Sequence, residues 1–200
     1  MFCGDVGMKL KTCSALLDYW KSLRGGSALP DQSKIQPRAL KKILPHVFIL
    51  DGTDCDNPLY RLAGTAICDL FGLELRGCSF LANWETQSRR TVASLLHCAL
   101  DSREPVFLRS VATHSGGGWT ECEIVLAPLA HNGATGGRFL GAMQPIAQVP
   151  RLRYGDIVSQ RLVVSDLGNG AVVKTEIKRE ASAQRASTGV PLGSILRPAF

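Results

Sequence analysis

The sequence predicts an α+β fold in which helices pack over one face of a five-stranded antiparallel sheet. Two predicted strands lie close together near the N-terminus, a series of short helices and one longer helix follows, and three further strands come after them. Turns rich in Gly, Asp and Asn separate neighbouring strands. Hairpin connections force antiparallel pairing, and the apolar face of such a sheet has to be covered by another layer.

Two helical segments precede the first strand. The first has apolar residues at helical spacing and ends at paired glycines: Leu16, Leu17, Trp20, Leu23, Gly25 and Gly26. The second is PRALKKIL at 37–44, which has Pro37 at its first helical position and is closed by Pro45.

The predicted strands cover residues 46–51, 59–64, 105–113, 119–129 and 138–146. The turn at 52–58 joins the first two, and Gly116 to Gly118 mark a hairpin loop between the third and fourth. In the fourth strand Glu121 and Glu123 alternate with apolar residues, so its first half has one wet and one dry face.

Two helices are predicted between the second and third strands. A short one begins at Thr65 and ends at Gly72, and a longer one covers about 88–100. The longer helix has an apolar stripe at helical spacing, formed by Val92, Leu95, Leu96 and Ala99.

Composition indicates a globular chain, with 45% apolar and 20% charged residues. The net charge is +6, of which residues 1–146 supply an excess of two positive charges and residues 147–200 an excess of four. We therefore expect a leader at 1–14, a domain at 15–147 and a basic, partly ordered extension at 148–200. The extension has enough β-branched residues at 151–166 for one extra strand. Because the basic excess lies mainly in the extension, the domain is not predicted to bind a specific nucleic acid.

No signal peptide is expected, because the N-terminus has no apolar run of signal-peptide length. The longest apolar runs are also far shorter than the roughly 20 residues that a membrane-spanning helix needs. Its seven cysteines are odd in number and irregularly spaced. Reduced thiols in the cytoplasm are the simplest interpretation.

Several blocks of the sequence carry a family resemblance, above all LPHVFILD at 44–51 and YRLAGTAICDLFG at 60–72. Together with the predicted helix that contains Trp20 and the later strands, they resemble the PAS-5 family, a group of PAS domains found in alphaproteobacteria. The resemblance covers about 15–147. It implies a five-stranded antiparallel sheet with helices over one face, and a sensory or interaction role. It brings no catalytic residue set and fixes no cofactor, because PAS domains hold haem, flavin, small metabolites or nothing.

The residues themselves offer little covalent chemistry. Cysteines at metal-binding spacing are missing from the sequence, so no metal site is predicted. His46 is expected to end a loop with a satisfied hydrogen bond, and His114 and His131 to be solvated in hairpin loops. His97 lies beside the apolar stripe of the longer helix, which leaves a haem-ligand role open. The adjacent His97 and Cys98 point about 100° apart on a helix and do not face each other.

A binding site is the better prediction. Apolar side chains from the helices and the sheet are candidates to line a ligand pocket, and the alternative is that they simply fill the core. The candidates are Phe71, Phe80, Trp84, Leu95, Leu108, Ile124 and Leu126. The second sheet face also needs cover, which the first helix could supply through Leu16, Trp20 and Leu23, either within the chain or from a second copy in a homodimer.

The sequence therefore predicts a non-enzymatic PAS-type sensory or regulatory module that signals through a small ligand or a docked partner protein. The alternatives are a pure protein-interaction adaptor with a filled core and, from a different class, a small cysteine-dependent enzyme. A bound ligand would favour the sensor, and tight core packing would favour the adaptor. Rapid labelling of one thiol at neutral pH would favour the enzyme.

Overall fold

The computed structural model describes residues 10–26, 29–131, 134–146, 156–168 and 171–174. These residues form a seven-stranded antiparallel sheet with helices on both faces. The strands are β1 (Val47–Asp51), β2 (Leu59–Ala63), β3 (Val106–His114), β4 (Trp119–His131), β5 (Ala134–Pro145), β6 (Ile157–Leu167) and β7 (Ala171–Lys174). Their order across the sheet is β2-β1-β5-β4-β3-β6-β7. The predicted α+β architecture is confirmed.

The C-terminal part of the chain adds two strands to the five that were predicted in the domain. β6 pairs with β3, and β7 pairs with β6. β6 corresponds to the one extra strand predicted at 151–166, and β7 lies beyond it. The leader at 1–9 and the tail beyond 174 lie outside the described residues, so the predicted domain boundaries stay predictions.

Two α-helices cover the inner face of the sheet, namely α2 (Thr65–Phe71) and α3 (Thr86–Ser102). The strands present alternate residues to this face, as in β3, where Val106, Leu108 and Ser110 are buried. The side chains between the sheet and these helices form the inner cluster, which includes Phe48, Phe80, Trp84, Leu96, Leu108 and Ile124.

The outer face is covered by α1 (Lys11–Arg24) and the segment that follows it. The outer cluster consists of buried side chains between this layer and the sheet, namely Cys13, Leu16, Leu17, Trp20, Leu29, Leu40, Val47, Val125, Ala127, Leu129, Leu140 and Ala142. β4 contributes to both clusters, with Ile124 on the inner face and Val125 on the outer face. This double burial explains why residues 124–129 form an unbroken apolar run.

The helix predicted at 37–44 is wrong in detail. The structure instead has 3-10 helices at Pro37–Leu40 and Leu44–His46, with a turn between them, after another at Gln32–Lys34. Eight residues are too few to stabilise an isolated α-helix, and Pro45 removes a backbone donor. Leu40 is buried in the outer cluster and holds this segment against α1.

Candidate ligand-binding site

Four rings of the inner cluster pack together and form what we call the aromatic cluster: Phe48, Tyr60, Phe80 and Trp84. The ring centroids of Phe48 lie 5.6 Å from Tyr60 and 5.8 Å from Phe80. Phe80 also lies 5.8 Å from Tyr60 and 5.9 Å from Trp84. Aromatic pairs at these separations contribute about 0.5–1.5 kcal/mol beyond their buried area. The cluster therefore ties β1 and β2 to the segment between α2 and α3.

Backbone hydrogen bonds hold this connecting segment, 72–85, to both sides of the sheet. On the β2 side, the Tyr60 amide donates to the Cys78 carbonyl at 2.9 Å, and the Phe80 amide donates to the Pro58 carbonyl at 2.8 Å. On the β6 side, the Gln160 amide donates to the Asn83 carbonyl at 2.6 Å. The segment therefore spans the inner face from β2 to β6 and carries Phe80 and Trp84 across it.

The structure brings all of the predicted pocket residues into the inner cluster. These are Phe71, Phe80, Trp84, Leu95, Leu108, Ile124 and Leu126, and each has at most 6% of its surface exposed. Five segments contribute: the helices α2 and α3, the connecting segment, and the strands β3 and β4. Whether any of them contacts a ligand stays a prediction.

A pocket of about 110 Å³ opens beside the aromatic cluster. Its lining includes Phe71 and Phe80 of the predicted set. The remaining lining residues, which sequence reasoning missed, are Tyr60, Leu73, Leu75, Cys78, Ser79, Ala82 and Asn83. Most of them lie in the connecting segment, where the sequence has no regular periodicity to show which side chains point inward.

The aromatic cluster contains a hydrogen-bond donor, the Trp84 indole N–H, that has no acceptor among the described residues. Trp84 is 2% exposed, and its indole Nε1 finds no acceptor among the described residues. A buried donor without a partner costs about 1–3 kcal/mol. By contrast, the buried hydroxyl of Ser110 donates to Gln160 Oε1 at 3.2 Å. The Trp84 N–H is therefore available to an acceptor that enters the core.

Burial also keeps the hydroxyl of Tyr60, another member of the aromatic cluster, protonated. Tyr60 is 3% exposed, and desolvation raises the pKa of its phenol well above the usual value. The hydroxyl consequently stays neutral throughout the physiological range.

The histidines do not converge on this site. His97, the possible haem ligand, has a side chain that is 55% exposed and lies 3.8 Å from the Asp56 carboxylate, so that role is wrong. His114 is 4% exposed at the end of β3, so its expected solvation is also wrong. The Nδ1 atom of His46 is buried and finds no hydrogen-bond partner in the described part of the chain, contrary to the satisfied bond expected.

The buried thiols are poor nucleophiles. Desolvation raises the pKa of Cys55 to about 11 and that of Cys122 to about 12. Burial and the nearby Glu123 raise the pKa of Cys13 further still. Because the thiolate is the reactive form, these three side chains are inert at neutral pH. No group of three or more His, Cys, Asp or Glu side chains suited to a metal ion occurs among the residues the structure describes.

The predicted docking face of the first helix lies mostly against the sheet of its own chain. Leu16 and Trp20 are 0% and 1% exposed within the outer cluster, whereas Leu23 is half-buried. The Trp20 indole donates to the Pro128 carbonyl at 2.8 Å, and the Arg24 guanidinium lies 5.1 Å from the Trp20 ring. The first helix therefore covers the outer sheet face of its own chain. Leu16 and Trp20 are not exposed to a second copy.

The sheet is antiparallel, and short helices cover an aromatic core on its inner face. This architecture, with the strands in this order, defines the chain as a PAS-type sensory domain. The PAS domain family matches residues 8–144, and the chain belongs to that family as a PAS-5 member. No curated protein matches the chain. None of its helices, in the portion described, is long and apolar enough to cross a membrane.

Solved structures similar to this chain include light-oxygen-voltage domains. One, studied with a flavin analogue, is 14% identical, with a TM-score of 0.44, and the match covers 56% of this chain and 84% of the other. The domain of the blue-light photoreceptor aureochrome1 is 13% identical, with a TM-score of 0.42 and coverage of 56% and 88%. The Rhodobacter sphaeroides protein is 12% identical, with a TM-score of 0.42 and coverage of 60% and 73%.

Proposed function

We propose that this chain is a non-enzymatic sensory module that binds a small, largely apolar molecule carrying one hydrogen-bond acceptor. The observation that carries this proposal is the Trp84 N–H, which is buried without an acceptor among the described residues. A ligand that supplies an acceptor would recover the free energy that the unpaired donor costs. The surrounding rings would bind its apolar part.

The pocket limits the size of this molecule. Sites for drug-sized ligands usually measure about 300–1,000 Å³, whereas the pocket beside the aromatic cluster measures about 110 Å³. Phe80, which contacts Trp84, and Asn83, its chain neighbour, both line it. We therefore expect a compact molecule of roughly one ring that reaches from the pocket towards Trp84. A flavin or a haem would require the connecting segment to move.

The connecting segment offers a route for the signal. It bonds to β2 and β6, and it leads directly into α3 at Thr86. A ligand that displaces Phe80 or Trp84 would therefore change the position of α3 relative to the sheet. We propose that a partner protein in the cytoplasm reads this change.

The small size of the pocket also favours a second candidate function. A core that is already filled needs no ligand, and the chain would then be a pure protein-interaction adaptor.

A cysteine-dependent enzyme is the third candidate, and rapid labelling of one thiol at neutral pH would support it. A homodimer built on Leu16 and Trp20 would require α1 to leave the sheet, and light scattering at micromolar concentration would detect it.

Replacing Ala82 by Phe should abolish ligand binding. Ala82 lines the pocket and is itself exposed, so we expect a larger side chain there to fill the pocket without entering the buried core. We expect native mass spectrometry of the full chain, purified without denaturant, to show a bound small molecule, and the variant to lose about 90% of that occupancy.

The control is Thr113→Phe, which introduces the same ring at an exposed residue of β3. It should leave the occupancy unchanged. Absence of any bound molecule in the wild-type protein, or equal occupancy in Ala82→Phe, would contradict the sensor and favour the adaptor.

A further inference from the structure

A second concavity lies on the other side of the molecule, between α1 and the turn that precedes β1. It measures about 460 Å³. We call it the basic groove, and it is lined by Ala15, Arg38, Ala39, Leu40, Lys41, Lys42 and Ile43. It belongs to neither the aromatic cluster nor the pocket beside it.

Three cations surround this groove without anionic partners. Arg38, Lys41 and Lys42 are exposed, and none of them takes part in an ion pair with any described residue. The stretch 34–43 contains no acidic residue. On α1, one turn to either side of Ala15, Lys11 and Asp18 are exposed and offset each other. The groove therefore keeps an excess of positive charge.

The base of the groove is apolar and fixed in position. Leu40 is 3% exposed within the outer cluster, and Ile43 packs against that cluster. The Ile43 amide donates to the Leu40 carbonyl at 2.9 Å, and the Gln36 amide donates to the Tyr19 hydroxyl at 2.7 Å. The turn is thus bonded to itself and to α1. Exposed cations on this bonded turn, beside an apolar base, suit a ligand that has both acidic and apolar side chains.

We propose that the basic groove docks an acidic amphipathic segment of a partner protein. An apolar side chain of that segment would enter between Ala15 and Ile43, and its carboxylates would pair with Arg38, Lys41 and Lys42. A recessed site favours a protein segment over a lipid surface, because a planar array of headgroups cannot reach its base. This inference deepens the regulatory function proposed above by naming a partner surface, and it does not require the pocket beside the aromatic cluster to be occupied.

The test uses a helical peptide of about 18 residues with Leu on one face and Glu on its flanks. We expect fluorescence anisotropy to show binding to the full chain that weakens as salt is added. The variant Arg38→Glu/Lys41→Glu/Lys42→Glu should bind the peptide more than about tenfold more weakly. The matched control is Arg76→Glu/Arg90→Glu/Arg161→Glu, which reverses three exposed cations elsewhere and should bind normally. A peptide with Gln in place of every Glu should not bind.

Three outcomes would overturn the proposal: no binding of the Glu peptide, equal loss in both charge-reversal variants, or binding to the Gln peptide. A fourth is binding only to phosphatidylcholine vesicles that contain about one-third phosphatidylserine, which would assign the groove to a membrane surface. Ala82→Phe separates this proposal from the ligand pocket, because that variant should lose the small molecule and keep the peptide. The groove variant should do the reverse.

Discussion

Trp20→Ala should lower the free energy of unfolding by about 3–5 kcal/mol, the usual cost of removing a large aromatic side chain from a packed core. Trp20 is 1% exposed, and its indole donates to Pro128 on β4. The substitution leaves a cavity in the outer cluster and removes the hydrogen bond to the Pro128 carbonyl. Urea unfolding monitored by circular dichroism measures the difference.

Trp119→Ala is the matched control, because Trp119 is 66% exposed on the same sheet. Its loss should change stability by no more than about 0.5 kcal/mol. Equal effects of the two substitutions would mean that α1 does not cover the outer face in the way described.

The second large effect concerns the inner face. Gly141→Ala should destabilise the protein by about 1–3 kcal/mol, because added bulk in a packed core forces side chains out of position. Gly141 lies on β5 opposite Phe48, and a Cβ atom at that position would overlap the Phe48 ring. Phe48 is fully buried in the aromatic cluster and has little room to move. Thermal or urea unfolding measures the loss.

A double-mutant cycle tests the cause. In a Phe48→Leu background the ring is gone, so Gly141→Ala should cost much less than it does in the wild-type protein. Gly26→Ala serves as the control, since a Cβ atom at Gly26 meets nothing within 4 Å. Strictly additive effects of Gly141→Ala and Phe48→Leu would show that the two positions are not in contact.

The sequence predicted the elements whose periodicity is strong. The apolar stripe of α1 is a direct record of one-sided burial, so that helix follows from the residues alone. The wet face expected from Glu121 and Glu123 in β4 was wrong at Glu123, which is 4% exposed. The turn at 37–46 was mispredicted because short segments of mixed composition are decided by tertiary packing, here the burial of Leu40. The pairing of β6 with β3 is a long-range contact that local pattern does not specify.

The candidate site was predictable only in part. Large apolar side chains such as Phe80 and Leu108 were expected in the core because of their type, and the structure places them there. The unpaired Trp84 N–H was not predictable, since it depends on what surrounds one atom. The groove lining was hidden for a similar reason: Ala15 and Lys42 are far apart in sequence and meet only when α1 packs on the sheet.

The three tryptophans of the chain allow a direct measurement of whether the Trp84 N–H meets a ligand in the core. Each gives one indole N–H signal in the nitrogen-15 NMR spectrum, assigned by Trp→Phe substitution. We compare protein purified without denaturant with the same protein unfolded, dialysed and refolded to remove small molecules. We expect the Trp84 signal to move between the two samples, whereas those of Trp20 and Trp119 should not. Coincidence of all three signals would contradict a ligand at Trp84.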